Sequence, residues 1–217
     1  MEKEYFKNKV PEKLYKNLNK DRRLNRYFSA QAVGKCVKIY DDYYNLVTGD
    51  ISKEGWKRYY YGQVDREALI SAAQFIKLNY DTDWKEAAEY VFYRTVGQTW
   101  NGMQEEINII QQLDKYFPLI DFEKAPYELD SEYFTDWQAF SGEDLLFGIQ
   151  IKPHTYKLMN SAYQVRAKEN HNAQKEKYKE TYMVGHFMVY YKDHKIEDKK
   201  DLLNRIDTYL AYNIRIK

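Results

Sequence analysis

Apolar side chains recur at helical spacing through the first half of the chain and again at its end. Intervals of three or four residues predict helices, and glycines separate them. The predicted helices cover residues 12–18, 29–44, 65–78 and 99–117, one more begins at Trp84 after the capping residue Asp83, and the last carries Leu202, Leu203, Ile206, Tyr209 and Leu210 on one face. Residues 1–98 are therefore expected to form a helical region.

Shorter apolar segments follow Pro118, which ends the helix over 99–117. Their length and composition predict strands over 120–123, 127–129, 133–140, 145–151 and 183–191. The turn-forming residues Ser141-Gly142-Glu143-Asp144 join two of these strands as a hairpin. A long polar segment over 160–179 precedes the last strand. This order predicts an α/β (α+β) fold with a mixed central sheet flanked by helices.

Charge is balanced over the whole chain, with 34 basic and 33 acidic side chains, but it is divided locally. Residues 101–150 hold eleven acidic side chains and two basic ones, whereas residues 152–179 hold seven basic side chains and two acidic ones. A protein that holds both a cation and a polyanion would use such a division. A salt-bridged surface without any partner would show it as well.

Several classes of protein are excluded by simple counts. The single cysteine, Cys36, excludes an internal disulfide framework, and the four histidines have no spacing typical of a zinc site. No apolar run has the length of a membrane span, and the N-terminus has no apolar segment typical of a signal peptide. We therefore expect a soluble cytoplasmic protein.

Asp136 and Lys152 lie on the two strands that the predicted hairpin joins. A carboxylate at a strand end can hold a hard divalent cation, and a lysine on the neighbouring strand can orient a water molecule or stabilise charge on a phosphate. The pair therefore favours a metal-dependent phosphodiesterase. The alternative is structural, with Asp136 a strand-end residue and Lys152 an edge-strand lysine that opposes aggregation.

This order of elements, with Asp136 on one strand and Gly148-Ile149-Gln150-Ile151-Lys152-Pro153 on the next, resembles the core of the PD-(D/E)XK nuclease superfamily. The Gln-Ile-Lys-Pro segment is similar to a branch of type II restriction endonucleases. The resemblance covers about residues 99–192. It implies Mg²⁺-dependent hydrolysis of double-stranded DNA at a short palindromic sequence by a homodimer, paired in the cell with a DNA methyltransferase that protects the host.

Carried onto this sequence, the resemblance makes Asp136 a metal ligand and Lys152 the catalytic lysine. Gln150 stands where an Asp or Glu is usual, and its amide oxygen can coordinate a cation but brings no charge. Glu106 is the expected additional catalytic acid and metal ligand, because it falls inside the apolar arc of the helix over 99–117 while Glu105 falls outside. A structural role for Glu106 remains open, and Glu143 is the reserve.

The polar segment over 160–179 is the predicted DNA-contacting element outside the site, since it has few apolar residues to bury. Phosphate and base-edge donors are expected from His154, Arg166, Lys168, Asn170 and Lys175. A solvated helix without a partner is the alternative for this segment, and an ordinary surface residue is the alternative for His154.

One nuclease domain over residues 1–217 is expected, made of the helical region 1–98, a catalytic core over 99–192 and a C-terminal helix over 193–217. Two other functions remain possible on the same residues. One is a repair or structure-specific nuclease with the same core. The other is a non-catalytic DNA-binding module in which Asp136 and Lys152 are structural.

Overall fold

The computed structural model describes residues 33–46, 51–80 and 82–213. Within the chain, two compact units are Met1–Met103 and Gln104–Lys217. The predicted helix over 12–18 and the start of the one over 29–44 lie outside the described residues. No described helix is long and apolar enough to cross a membrane. That residues 1–217 form one nuclease domain stays a prediction.

The described part of the first unit is helical, as the sequence predicts. Its helices are α1 (Val33–Leu46), α2 (Lys53–Gln63), α3 (Arg66–Asn79) and α4 (Trp84–Phe92), followed by a π-helical turn (Tyr93–Gly97) and the start of α5 (Gln98–Asp114). Ser52, Asp65 and Asp83 cap α2, α3 and α4, because each side-chain oxygen accepts a hydrogen bond from a backbone N–H of the first turn. Trp56 and Tyr60 are fully buried, so both belong to the packed interior of this unit.

The second unit contains the sheet. Its elements after α5 are β1 (Asp121–Lys124), α6 (Tyr127–Tyr133), β2 (Trp137–Ser141), β3 (Asp144–Pro153), a 3-10 turn (His154–Tyr156), α7 (Ala162–Tyr182), β4 (Gly185–Lys192), β5 (Lys195–Ile196) and α8 (Lys199–Asn213). The strands form a mixed sheet in the order β1-β2-β3-β4-β5. Only β3 and β4 are parallel, since α7 connects them as a crossover helix.

Each face of this sheet has its own helical cover. The odd-numbered residues of β3 and β4, including Ile149 and Val189, pack with apolar residues of α5 and α8 in the main core. The even-numbered residues face the other way, where Tyr178 of α7 lies against Gly148 and His186. The predicted mixed α/β fold, with a central sheet flanked by helices, is confirmed.

The predicted hairpin is also confirmed, with Gly142 at a positive φ of 60° in the turn between β2 and β3. The predicted strand over 127–129 is wrong, because these residues form the start of α6. Pro126 precedes this helix, and the acidic residues Glu128 and Asp130 in its first turn favour a helix N-terminus. The predicted strand over 133–140 is shortened for the same reason, since α6 continues to Tyr133.

Candidate active site

Asp136 lies immediately before β2 and is almost completely buried. Its backbone N–H donates to the Ile149 carbonyl at 2.8 Å, which extends the pairing of β2 with β3 by one residue. Its Oδ2 accepts hydrogen bonds from the Ile151 backbone N–H at 2.8 Å and from Gln150 Nε2 at 2.5 Å. The Lys152 ammonium lies 3.9 Å from the same oxygen. The hairpin therefore fixes the Asp136 carboxylate through Oδ2.

Gln150 is fully buried, and its amide orientation follows from its contact with Asp136. The reverse orientation would place two acceptor oxygens against each other. Gln150 Oε1 therefore points elsewhere, and among the described residues it has no hydrogen-bond partner. A buried carbonyl oxygen without a partner costs about 1–3 kcal/mol, so this atom is suited to receive a donor or a cation.

Glu106 of α5 is brought to the same place, and its side chain is 15% exposed. Its Oε2 lies 3.9 Å from the ammonium of Lys124 at the end of β1. Burial and, to a smaller extent, the negative charge of Asp136 raise the pKa of Glu106 to about 8, although the positive charges of Lys124 and Lys152 act in the opposite direction. Glu106 therefore lies close enough to Asp136 for the two carboxyl groups to belong to one site.

The sequence predicts that Glu106 lies on the apolar face of α5 and that Glu105 lies outside this face. The placement of Glu106 is confirmed, but the expected exposure of Glu105 is wrong. The Glu105 side chain is only 20% exposed and contacts the imidazole of His194. The β4–β5 turn covers it, because Asn108 and Gln112 of α5 both donate to the His194 carbonyl. A tertiary contact therefore buries a residue that the helical periodicity places outside.

Phe134 and His186 hold the segment that precedes Asp136. Neither residue was predicted from the sequence. Phe134 has a left-handed backbone with φ of 54° at the end of α6. His186 of β4 donates from Nε2 to the Phe134 carbonyl at 3.0 Å. Burial lowers the pKa of His186 to about 4, so the imidazole stays neutral at this contact. These bonds hold the segment that leads into Asp136.

The acid that the structure brings to Asp136 is Glu106 and not Glu143. Glu143 is exposed in the hairpin turn, which lies at the opposite end of β2 from Asp136. A Mg²⁺ site needs oxygen ligands, and one or two carboxylates suffice because the ion keeps several waters and also binds substrate phosphates. The two carboxylates and the buried amide oxygen of Gln150 fit that chemistry. Among the described residues, no group of three or more His, Cys, Asp and Glu side chains could hold a metal ion.

The residues predicted to contact DNA lie at two places on the second unit. Arg166 and Asn170 are exposed on α7. Lys168 donates to the carbonyls of Lys157 and Met159 at 3.0 and 2.8 Å, so it closes the turn before α7.

Lys175 Nζ lies 3.9 Å from Glu176 Oε1 on the same helix. His154 Nδ1 lies 2.6 Å from Glu197 Oε1, and Lys157 Nζ contacts the other oxygen of that carboxylate at 2.8 Å. His154 therefore has a structural partner. Its role in binding DNA stays a prediction, as do those of Lys168 and Lys175.

Lys124 is a further residue of the site that the sequence did not single out. It lies two residues after the partly buried Phe122 in β1, so the two side chains lie on the same face of the strand. Only the pairing of β1 with β2, in which Lys124 lies opposite Trp137, brings it to the acids. A four-residue strand gives too short a pattern to predict this pairing.

Comparisons with known proteins identify the family. No curated protein and no solved structure matches this chain. The family model described as MjaI restriction endonuclease matches residues 18–206, which is most of the chain and includes every element from α1 to β5. This match decides among the three functions that the sequence left open. The chain belongs to the MjaI restriction endonuclease family, and it is a type II restriction endonuclease.

Proposed function

We propose that this endonuclease hydrolyses double-stranded DNA at a short palindromic sequence in a Mg²⁺-dependent reaction, with a site of the PD-(D/E)XK type. One observation carries the proposal. The buried carboxylate of Asp136 lies 3.9 Å from the Lys152 ammonium, beside the buried amide of Gln150 and within electrostatic reach of Glu106. Acids, amide and lysine together match the chemistry that the hydrolysis of a phosphodiester needs.

Asp136, Glu106 and the Oε1 atom of Gln150 are the oxygen ligands proposed for Mg²⁺. When bound, Mg²⁺ lowers the pKa of a coordinated water and neutralises negative charge on the phosphate. Gln150 also donates from Nε2 to Asp136 Oδ2, which keeps that oxygen in place. Because Gln150 is neutral, Glu106 must supply the second negative charge of the site.

Lys152 acts on the phosphate and on the attacking water. Its ammonium is a compact charge with three donors, so it can contact a phosphate oxygen while orienting a water molecule. Its contact with Asp136 Oδ2 at 3.9 Å is longer than a hydrogen bond, and its side chain is 25% exposed. Lys152 is therefore accessible to a DNA backbone while it remains next to the acids.

A two-fold homodimer is proposed because one such site cuts one strand. Two copies related by a two-fold axis present equivalent sites to the two strands of a palindrome. A paired DNA methyltransferase is proposed as the functional partner, since an unmodified recognition site in the host genome would be cut. Arg166 and Asn170, exposed on α7, are proposed to contact the DNA.

Digestion of plasmid and phage DNA with Mg²⁺ tests the proposal. We expect discrete fragments that reproduce between preparations and disappear with EDTA. Lys152→Ala is expected to abolish them, whereas Lys192→Ala, which removes an exposed lysine at the end of β4, is the matched control and is expected to cut normally. Discrete fragments in EDTA would refute the metal dependence, and cutting by Lys152→Ala at the normal rate would refute the site.

A further inference from the structure

A stack of rings lies beside Lys152 and is not part of the proposed chemistry. The Lys152 ammonium is 4.9 Å from the centre of the Phe134 ring, within the range of a cation–π interaction. The His171 imidazole stacks on the same phenyl ring, with centroids 3.9 Å apart and planes 12° apart. His171 Nδ1 is 2.8 Å from the Tyr156 hydroxyl. Lys152 therefore lies against a phenyl ring that the imidazole holds.

His171 connects the two chain segments that carry the site. Phe134 lies two residues before Asp136, and Tyr156 lies four residues after Lys152. The backbone of Phe134 is fixed by its own hydrogen bonds, since its N–H donates to Asp130 at 3.1 Å and its carbonyl accepts from His186. Those bonds fix the position of the Phe134 backbone but not the orientation of its phenyl ring. The stacked imidazole supplies that constraint.

The charge state of His171 is compatible with this position. Burial lowers the pKa of His171, and the nearby positive charge of Lys152 lowers it further. A neutral imidazole does not repel the ammonium. With Nε2 protonated, its Nδ1 accepts a hydrogen bond from the Tyr156 hydroxyl.

His171 lies on the face of α7 that packs against α6 and the sheet. His171, Gln174 and Tyr178 follow one another at spacings of three and four, so they share one face of the helix. Gln174 donates to the Ser131 carbonyl of α6 at 2.7 Å, and Tyr178 is fully buried against Gly148. Among these three, it is His171 whose ring stacks on the phenyl group beside Lys152.

We propose that His171 is a positioning residue for Lys152: its imidazole, held by Tyr156, fixes the Phe134 ring against which the Lys152 ammonium rests. The inference depends on the proposed role of Lys152 in cleavage. His171 itself contacts neither metal nor substrate in this role. It acts by limiting the directions that the lysine can take, so its effect belongs to the chemical step and not to DNA binding.

A double-mutant cycle tests the proposal, with kcat and KM measured on a duplex that contains the recognition site mapped by digestion. His171→Ala is expected to lower kcat roughly tenfold and to change KM less than about twofold. His171→Phe keeps a flat ring but cannot accept the hydrogen bond from Tyr156, so its kcat should recover to about the level of Tyr156→Phe, roughly threefold below the wild type. The double variant His171→Ala/Phe134→Leu should be no slower than Phe134→Leu alone, because both changes remove the same support.

Gln174→Ala is the matched control for a general loosening of α7. It removes a contact of the same helix face with α6 but leaves the stack at Phe134 in place. We expect its kcat to stay within about twofold of the wild type. If His171→Ala does not fold, Tyr156→Phe provides the test, since it removes only the hydroxyl that holds the imidazole and should lower kcat roughly threefold.

A second measurement needs neither metal nor DNA. In protein labelled with ¹³C-lysine, the methylene protons next to the Lys152 ammonium should be shifted upfield by the phenyl ring, and loss of the signal in Lys152→Arg assigns it. His171→Ala should move this signal toward the position of an exposed lysine, while His171→Phe should not.

Three results would overturn the inference. They are an unchanged kcat or lysine signal in His171→Ala, a Gln174→Ala variant as slow as His171→Ala, and an additive double variant. If Lys152→Ala cuts at the normal rate, the proposed active site fails and the inference fails with it. If Lys152→Ala is inactive while His171→Ala is fully active, only the inference fails.

Discussion

The Glu106→Gln variant separates two effects of the Glu106 carboxylate, the destabilisation of the folded protein by a buried charge and the contribution of that charge to DNA cleavage. The Glu106 side chain is 15% exposed, and burial beside Asp136 raises its pKa from 4.5 to about 8. Between these two values the unfolded chain carries an ionised Glu106 while the folded chain keeps it protonated. The folded state therefore binds more protons, and its stability falls as the pH rises through this window. Over the whole window, the free energy of unfolding falls by on the order of 3–5 kcal/mol.

Glutamine has nearly the same shape as glutamate but cannot ionise. Below about pH 4.5 the two proteins should have similar free energies of unfolding, because Glu106 is then protonated in both states. Above that pH the variant should become the more stable of the two, and the difference should grow until about pH 8. At pH 7 we expect Glu106→Gln to be more stable by on the order of 2–3 kcal/mol.

Urea unfolding in EDTA at about pH 5, 7 and 8.5 measures this difference without any bound metal. Glu143→Gln, in the exposed hairpin turn, is the matched control and should leave the pH dependence unchanged. DNA cleavage at about pH 8 should be lost in Glu106→Gln although the protein is more stable, since the site then lacks its second carboxylate. A variant that is less stable than the wild type at pH 8.5 would refute the buried-charge argument, and normal cleavage would refute the ligand role.

Three further predictions concern packing, DNA contact and metal binding. Gly148→Ala should destabilise the protein by about 1–3 kcal/mol in thermal unfolding, because the new methyl group would lie 2.7 Å from the Tyr178 ring; unchanged stability would contradict this contact. Arg166→Ala should weaken DNA binding in EDTA and lower the slope of log affinity against log salt by about one, and an unchanged slope would place Arg166 away from phosphate. Ca²⁺ titrated by calorimetry should bind more tightly with specific duplex present, and by linkage Ca²⁺ should tighten the duplex by the same factor; equal Ca²⁺ affinity with and without DNA would refute this coupling.

The fold was predictable where the sequence pattern is local. The β2–β3 hairpin follows from turn residues between two apolar segments, and α8 follows from apolar residues at helical spacing. The short helix α6 was not predictable as a helix because its seven residues contain too few apolar positions to establish a period. Pro126 is compatible with the start of a helix, but it indicates one only when the next strand is known to begin as late as Trp137.

The inner face of α7 shows a different limit of sequence reasoning. The helix was expected to have little to bury, because its aliphatic residues are small and few. Its inner face instead uses His171, Gln174 and Tyr178, which pack through rings and hydrogen bonds. Polar and aromatic side chains of this kind look solvated in a hydropathy pattern. Their burial becomes evident only when the sheet beneath them is known.

The candidate site was predictable in its three hairpin residues, Asp136, Gln150 and Lys152, and in one helix residue. Asp136 and Lys152 are brought together by a hairpin that turn chemistry specifies, and Glu106 by the periodicity of α5. The pairing of Phe134 with His171 joins residues 37 positions apart, and no local pattern encodes it. Structure was therefore needed to find the groups that orient the site, even though sequence found the groups proposed to act in it.

The charge balance of the site explains why the metal and the DNA are expected to bind together. Each carboxylate already has a lysine near it, because Asp136 lies 3.9 Å from Lys152 and Glu106 lies 3.9 Å from Lys124. Gln150, at the position where a third negative charge is usual in the superfamily that this site resembles, adds none. At neutral pH a divalent cation arriving alone would therefore meet one ionised carboxylate, a Glu106 that is still protonated and two positively charged lysines, and the lysines would oppose it. A DNA phosphate supplies the missing negative charge and gives the lysines a partner, so each ligand removes the electrostatic obstacle to the other.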